Sequence, residues 1–144
     1  PIGLGSGICG VITVRDALGL STKVVGVVST EAPAYALSFA AKKVVATNSA
    51  NTMADGMAVR GPDPEALDII LKGADRIVQV SDAEVTAAMR SYYEDTHQLT
   101  EGAGAASLAA LMQERDRMKG RRIGLILSGG NIDREVYLRA LADA

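Results

Sequence analysis

The residues of this chain best suited to chemistry gather in short glycine-rich runs. The first is Gly3-Leu4-Gly5-Ser6-Gly7, which passes directly into Ile8-Cys9-Gly10-Val11-Ile12-Thr13-Val14. Glycines let a backbone turn sharply and approach a ligand closely. Where such a loop opens a helix, successive N–H groups converge and the helix dipole adds partial positive charge, which favours an anion such as a phosphate group. Ser6 can add a hydroxyl donor. The alternative is a tight strand-to-helix turn with no ligand. A G-x-G-x-x-G dinucleotide fingerprint would need glycine at residue 8, where the chain has Ile8, and the Gly-Lys-Ser/Thr of a P-loop is absent. Ordinary NAD and ATP sites are thus disfavoured.

Three further runs stand out. Ser128-Gly129-Gly130-Asn131 follows an apolar stretch and would place a hydroxyl at a strand end with little bulk around it; the alternative is a turn with Asn131 as a helix N-cap. Thr100-Glu101-Gly102-Ala103-Gly104-Ala105-Ala106 puts small residues after an acid. That permits close helix packing or a planar ligand above it, and Glu101 would also suit a helix start as a cap. Ala54-Asp55-Gly56 is a turn signal. Cys9 and His97 are the only residues of their kinds, which excludes a Cys/His metal site by counting. Both read as structural, Cys9 on an apolar helix face and His97 facing the last carbonyls of a helix. No nucleophile–base pair has a readable spacing.

The elements that must position these runs alternate. Gly3–Gly7 opens a helix to about Leu18 with Gly19 as C-cap. Lys23–Val28 reads as a strand buried on both faces, and Ala34–Lys43 as a helix begun near Pro33. Residues 44–60 are loop-like. Pro62 and Pro64 open a helix to about Lys72, and Arg76–Val80 is a second strand. Ser81 with Glu84 forms a capping box for a helix to about Asp95. Ala103–Arg117 is an alanine-rich helix with Leu108, Leu111 and Met112 on one side. Arg122–Leu127 is a third strand, and Asp133–Leu141 a last helix. Such alternation implies parallel βαβ units, whose ligands lie at the C-terminal ends of the strands. Both glycine loops would share that edge if Pro1-Ile2 closes a strand.

Composition agrees. The 144 residues are 48% hydrophobic and 22% charged, as in a single globular domain. A net charge of -2 without a basic run argues against nucleic acid, and no apolar stretch approaches the ~18 residues of a membrane span. One cysteine makes no internal disulfide, so a cytoplasmic setting is expected. A start at Pro1-Ile2, one step before a ligand loop, reads as a piece of a longer polypeptide.

Together, Pro1-Ile2-Gly3-Leu4-Gly5-Ser6-Gly7-Ile8-Cys9-Gly10, Val25-Gly26-Val27, Ala54-Asp55-Gly56, Glu101-Gly102-Ala103-Gly104-Ala105 and Leu127-Ser128-Gly129-Gly130-Asn131 occur in one family's order. The chain resembles the C-terminal half of the serine/threonine dehydratases, fold-type II pyridoxal-phosphate (PLP) enzymes, over essentially all 144 residues. Ala32-Pro33-Ala34-Tyr35-Ala36-Leu37 and Glu94-Asp95-Thr96-His97 look closest to the hydroxyectoine-utilisation dehydratases. The resemblance implies an α/β three-layer sandwich with a mostly parallel sheet, residues 1–144 forming one segment of the large domain of a tryptophan synthase β-like enzyme. It also implies that the amides of Gly3, Leu4, Gly5, Ser6 and Gly7 hold the PLP phosphate, that Ser128 hydrogen-bonds the pyridine nitrogen, and that Gly56 and Glu101 line the cofactor cleft. A neutral hydroxyl at that nitrogen leaves the ring a weaker electron sink than a carboxylate would. The implied reaction is elimination of water from a β-hydroxy amino acid, giving a 2-oxo acid and ammonia, in a homodimer or larger homo-oligomer.

Three departures accompany the resemblance. The family's Schiff-base lysine lies upstream, and none of Lys23, Lys42, Lys43, Lys72 or Lys119 sits in a matching motif, so no catalytic residue is assigned here and the segment alone is expected to be inactive. Leu4 and Ser6 replace glycines, yet keep their N–H groups. Val28 stands where some relatives carry an acidic metal ligand, so no metal is assigned. The chain ends about one helix after Ser128, so no regulatory domain is expected to follow. The competing readings are another fold-type II enzyme such as a racemase or β-replacing synthase, a non-catalytic phosphate- or nucleotide-binding α/β module, or a cleaved enzyme whose other half is a second chain.

Overall fold

A computed structural model of the chain describes residues 1–142. Helix α1 (Ser6–Ala17) is followed by β1 (Val24–Ser29), α2 (Ala34–Ala41), a 3-10 turn (Asp55–Met57), α3 (Pro64–Gly73), β2 (Ala74–Val80), α4 (Asp82–Thr96), α5 (Gly102–Gln113), the short α6 (Arg115–Met118) and α7 (Arg134–Ala142). Strands β1 and β2 pair in parallel, with Val25 opposite Arg76 and Ser29 opposite Val80. The Ile2 N–H donates to the Val27 carbonyl at 2.8 Å, so Pro1-Ile2 lies beside β1.

Strand alternation sends β1 into two cores. Val24 and Val28 join Ile2, Ile8, Ile12, Tyr35, Leu67 and Ile70 beneath α1, α2 and α3. Val27 faces the other way, with Val78, Val80, Val85, Met89 and the small residues of α5. Helices therefore cover both faces of the parallel sheet, the three-layer α/β arrangement expected.

Local signals account for most boundaries. The Asp63 side chain accepts from the Ala66 N–H at 2.9 Å, and Pro64 opens α3. At α4 both halves of the capping box form: Ser81 Oγ accepts from the Glu84 N–H, and Glu84 Oε2 accepts from the Ser81 N–H at 2.7 Å. Gly19 takes a left-handed conformation just past α1.

Three expectations need correction. Arg122–Leu127 is not a strand: among the described residues its backbone finds no ladder partner, and Ile123, Ile126 and Leu127 are exposed. A strand exists only by pairing, and neither β1 nor β2 reaches it. The helix read over Ala103–Arg117 is two, α5 (Gly102–Gln113) and α6 (Arg115–Met118), and the buried side of α5 is its alanine side. Ala103, Ala105, Ala106, Ala109 and Ala110 are buried whereas Met112 is exposed, because only small side chains fit against the 3-10 turn and the sheet. Asn131 caps nothing, since α7 begins three residues later.

The Ser81 N–H is the main cause holding the Glu84 carboxyl below its ordinary range, with Ser81 Oγ and Gln113 adding to it. A lowered folded-state value means this contribution is present above the ordinary carboxylate range and lost as the pH falls through the folded value. Glu84→Ala is therefore expected to cost about 1 kcal/mol near neutral pH. The difference from wild type should shrink as the pH falls below about 4, read from thermal melts across pH.

Candidate functional site

The first loop leaves the sheet at Ile2 and turns at Gly5, whose φ of 105° is left-handed and suits glycine alone. Ser6 then begins α1, and the Cys9 N–H closes its first turn on the Gly5 carbonyl at 3.0 Å. Among the described residues, none of the backbone N–H groups of Gly3 to Ile8 donates to a protein acceptor. No side chain caps α1, and its first turn carries no acidic residue. A Cβ added at Gly7 would meet nothing within 4 Å. The result is a row of free donors at a helix N-terminus beside open space, a cup for an anion.

The loop is held from behind. The Tyr35 hydroxyl donates to the Leu4 carbonyl at 2.6 Å and accepts from the Asp63 N–H at 3.2 Å. Burial, the largest cause, pushes the Tyr35 phenol up, which keeps it a neutral donor.

A succession of close backbone approaches joins this cup to the other motifs. A Cβ on Gly3 would strike the Gly56 carbonyl. Gly56 lies in the 3-10 turn, where the Met57 N–H donates to the Ala54 carbonyl at 2.8 Å and Asp55 Oδ1 accepts from the Gly56 N–H at 2.8 Å. The segment leading into the turn is tied to α4: Asp82 accepts from Thr52 Oγ1 at 2.5 Å and from the Met53 N–H at 2.9 Å. The turn packs on α5, where a Cβ on Gly102 would lie 2.9 Å from Ala54 Cα. Two residues along α5, a Cβ on Gly104 would strike the Gly129 carbonyl and Thr100 Oγ1. That carbonyl accepts from the Glu101 N–H at 3.1 Å and from Thr100 Oγ1 at 3.2 Å.

Of the residues singled out in the sequence, Gly3, Leu4, Gly5, Ser6 and Gly7 form the cup and Gly56 packs directly on Gly3. Glu101 and Ser128 sit at the other end of the row. The Glu101 carboxylate does not cap α5; a Cβ on Gly129 would lie 2.6 Å from its Oε1. Ser128 is exposed, next to Gly129. His97 ends α4 in a left-handed conformation with Nδ1 3.1 Å from the Tyr93 carbonyl, and Cys9 Sγ lies 3.6 Å from the Ala66 carbonyl, so both serve structure. Sequence reasoning missed the parts played by Tyr35 and Asp82, and named fully buried Thr100 only as the first residue of its run. Only the fold brings them to the site, and no local signal marks them.

The arrangement offers backbone donors for an anion at one end and a carboxylate with a hydroxyl at the other, joined by glycines packed backbone to backbone. A family profile described as "Pyridoxal-phosphate dependent enzyme" matches residues 1–129. L-threonine ammonia-lyase of Thermotoga maritima is 32% identical over 92% of this chain and 33% of its own length. The processed form of threonine deaminase isoform 2 from Solanum lycopersicum superposes with a TM-score of 0.91 at 28% identity, over 99% of this chain and 40% of that one. Maize serine racemase superposes with a TM-score of 0.88 at 28% identity, over 99% and 44%. The chain thus spans less than half the length of these relatives.

Gly3→Ala and Gly104→Ala each drive a Cβ into backbone that cannot swing aside. Each is expected to cost about 2 kcal/mol, or about 5 °C in melting temperature. Gly7→Ala, with open space around it, should melt within about 1 °C of wild type, since surface changes away from special features stay within about 0.5 kcal/mol.

Proposed function

This chain belongs to the pyridoxal-phosphate dependent enzyme family, and on that premise we propose that the cup formed by Gly3, Leu4, Gly5, Ser6 and Gly7 holds the phosphate of pyridoxal 5'-phosphate. The observation that carries this reading is the row of unpartnered N–H groups from Gly3 to Ile8. They fit a phosphate in three respects: they are donors, they stand at a helix N-terminus, and the space beside Gly7 is open. Gly56, packed on Gly3, would line the cofactor site, Ser128 would donate its hydroxyl to the pyridine nitrogen, and Glu101 would stand at the same end as Ser128.

Bound pyridoxal phosphate supplies an electron sink for bonds at the α-carbon of an amino acid. The residues of this chain bind and tune it. The loop amides would hold the phosphate, and the close-packed glycines would leave room beside it free of side chains. Ser128, neutral at every working pH, offers a hydroxyl where a carboxylate would keep the ring nitrogen protonated. With Ser128 there the bound ring would be a weaker electron sink, which suits loss of a β-hydroxyl.

The reaction we assign to the whole protein is elimination of water from threonine or serine to give a 2-oxo acid and ammonia. The threonine ammonia-lyase and threonine deaminase relatives support it. The lysine that bonds the cofactor comes from outside these 144 residues, which supply one continuous α/β segment of the large domain. A cytoplasmic homodimer or larger homo-oligomer is the proposed working form, in keeping with a single unpaired cysteine. No helix among the described residues is long and apolar enough to cross a membrane. Serine racemisation is the second reading, favoured by the likeness to maize serine racemase.

In the complete protein, Ser128→Ala should bind PLP, seen by its visible absorbance and fixed to lysine by borohydride, yet lose about tenfold or more in turnover of threonine or serine. Unchanged turnover would refute the role given to Ser128. A product profile of D-serine without 2-oxo acid would favour the racemase.

A further inference from the structure

Tyr35 stands outside every motif that points to the cofactor. It lies on α2, is 1% exposed, and packs its ring among Ile8, Ile12, Leu67 and Ile70. Its hydroxyl nevertheless reaches the first loop, donating to the Leu4 carbonyl at 2.6 Å. The Asp63 N–H, at the rigid start of α3, donates to the same oxygen at 3.2 Å. That second bond occupies an acceptor position on the hydroxyl and leaves its proton for Leu4. The next residue is Gly5, where a Cβ would lie 3.0 Å from the Tyr35 hydroxyl.

In a trans peptide the C=O and the following N–H point in opposite directions. Drawing the Leu4 carbonyl toward Tyr35 therefore turns the Gly5 N–H to the opposite side of the loop, where the unpartnered amides gather. It also turns the Leu4 carbonyl dipole away from the side on which the Gly5 N–H points. We propose that Tyr35 is a positioning residue for the phosphate loop, its hydroxyl fixing the Leu4–Gly5 peptide so that the loop amides meet a phosphate. The proposal rests on the reading of the loop given above, and it predicts an effect confined to the phosphate end of the cofactor.

The test compares PLP with pyridoxal, which lacks the phosphate, on the complete protein. Tyr35→Phe keeps the ring and removes the bond. It should weaken PLP binding about tenfold and leave pyridoxal binding unchanged. Unchanged PLP binding, or an equal loss for both ligands, would overturn the positioning role. Wild type that binds PLP no more tightly than pyridoxal would overturn the phosphate reading itself and this proposal with it. Should the variant not fold, 3-fluorotyrosine placed at position 35 of the wild-type protein gives a second readout. Its fluorine resonance should move on saturation with PLP and stay in place with pyridoxal, and a resonance indifferent to PLP sinks the proposal.

Discussion

The site depends on two places where backbone meets backbone with no room for a side chain. Gly3 lies against the Gly56 carbonyl, and Gly104 lies against the Gly129 carbonyl. Between them the 3-10 turn packs on the start of α5 through Gly102 and Ala54. Four segments remote in sequence are thus held side by side at glycines, while the apolar burial that stabilises them comes from the two clusters on either face of the β1–β2 sheet, one of which takes in Ala54 and Met57 of the turn and Ala103 of α5. This division of labour explains the character of α5. Its buried face is alanine and glycine because a larger side chain would push the 3-10 turn away from the helix and break the row.

The helix termini follow the same division. The starts of α3 and α4 are sealed by Asp63, Ser81 and Glu84, so their donors have protein partners. The starts of α1 and α5 have no side-chain cap, and both open onto the row of glycines. A buried helix start without partners is costly. At α1 the cost is avoided by exposure, since Leu4, Ser6 and Gly7 face solvent. The same exposure leaves the donors available to an anion. Stability and binding therefore make opposite demands on neighbouring helix ends, and the residue at each N-cap position decides between them.

What could be read from the sequence was what short-range physics determines. Asp63-Pro64 and Ser81-Asp82-Ala83-Glu84 carry their helix starts in a few residues, and Val24–Val28 carries its burial in its own composition. The glycine loop likewise announces its turn. Features made by distant partners were not readable. Arg122–Leu127 has a strand's composition, but a ladder needs a neighbour, and none of the described residues provides one. The leucines of α5 mark an apolar side, yet the tight side is the alanine one, because what packs there is backbone. Tyr35 looks like any core aromatic until the fold carries its hydroxyl to Leu4. The resemblance of the motifs to one family supplied what spacing alone left open, since the glycine loop by itself allowed both a phosphate site and an empty turn.

The two ends of the row are unequally anchored within this chain, and the inequality bears on how it handles a ligand. The Gly3–Gly7 end is tied to the sheet by the Ile2–Val27 bond and to α2 and α3 through Tyr35. Among the described residues, the hydrogen bonds that tie the Ser128 end to the rest of the chain go to the Gly129 carbonyl, which accepts from the Glu101 N–H and from Thr100 Oγ1. Among the described residues, those just before Ser128 make no ladder bonds to restrain it. A ligand gripped first at the cup would find its anion site formed in advance, whereas the hydroxyl of Ser128 rides on a loop held by fewer bonds. The orientation of Ser128 thus depends on the start of α5, and Thr100, fully buried although polar, is the residue that joins the two. Its hydroxyl lies against both Gly104 and Gly129, so the close approach that shapes the cleft wall also sets the position of the Ser128 loop.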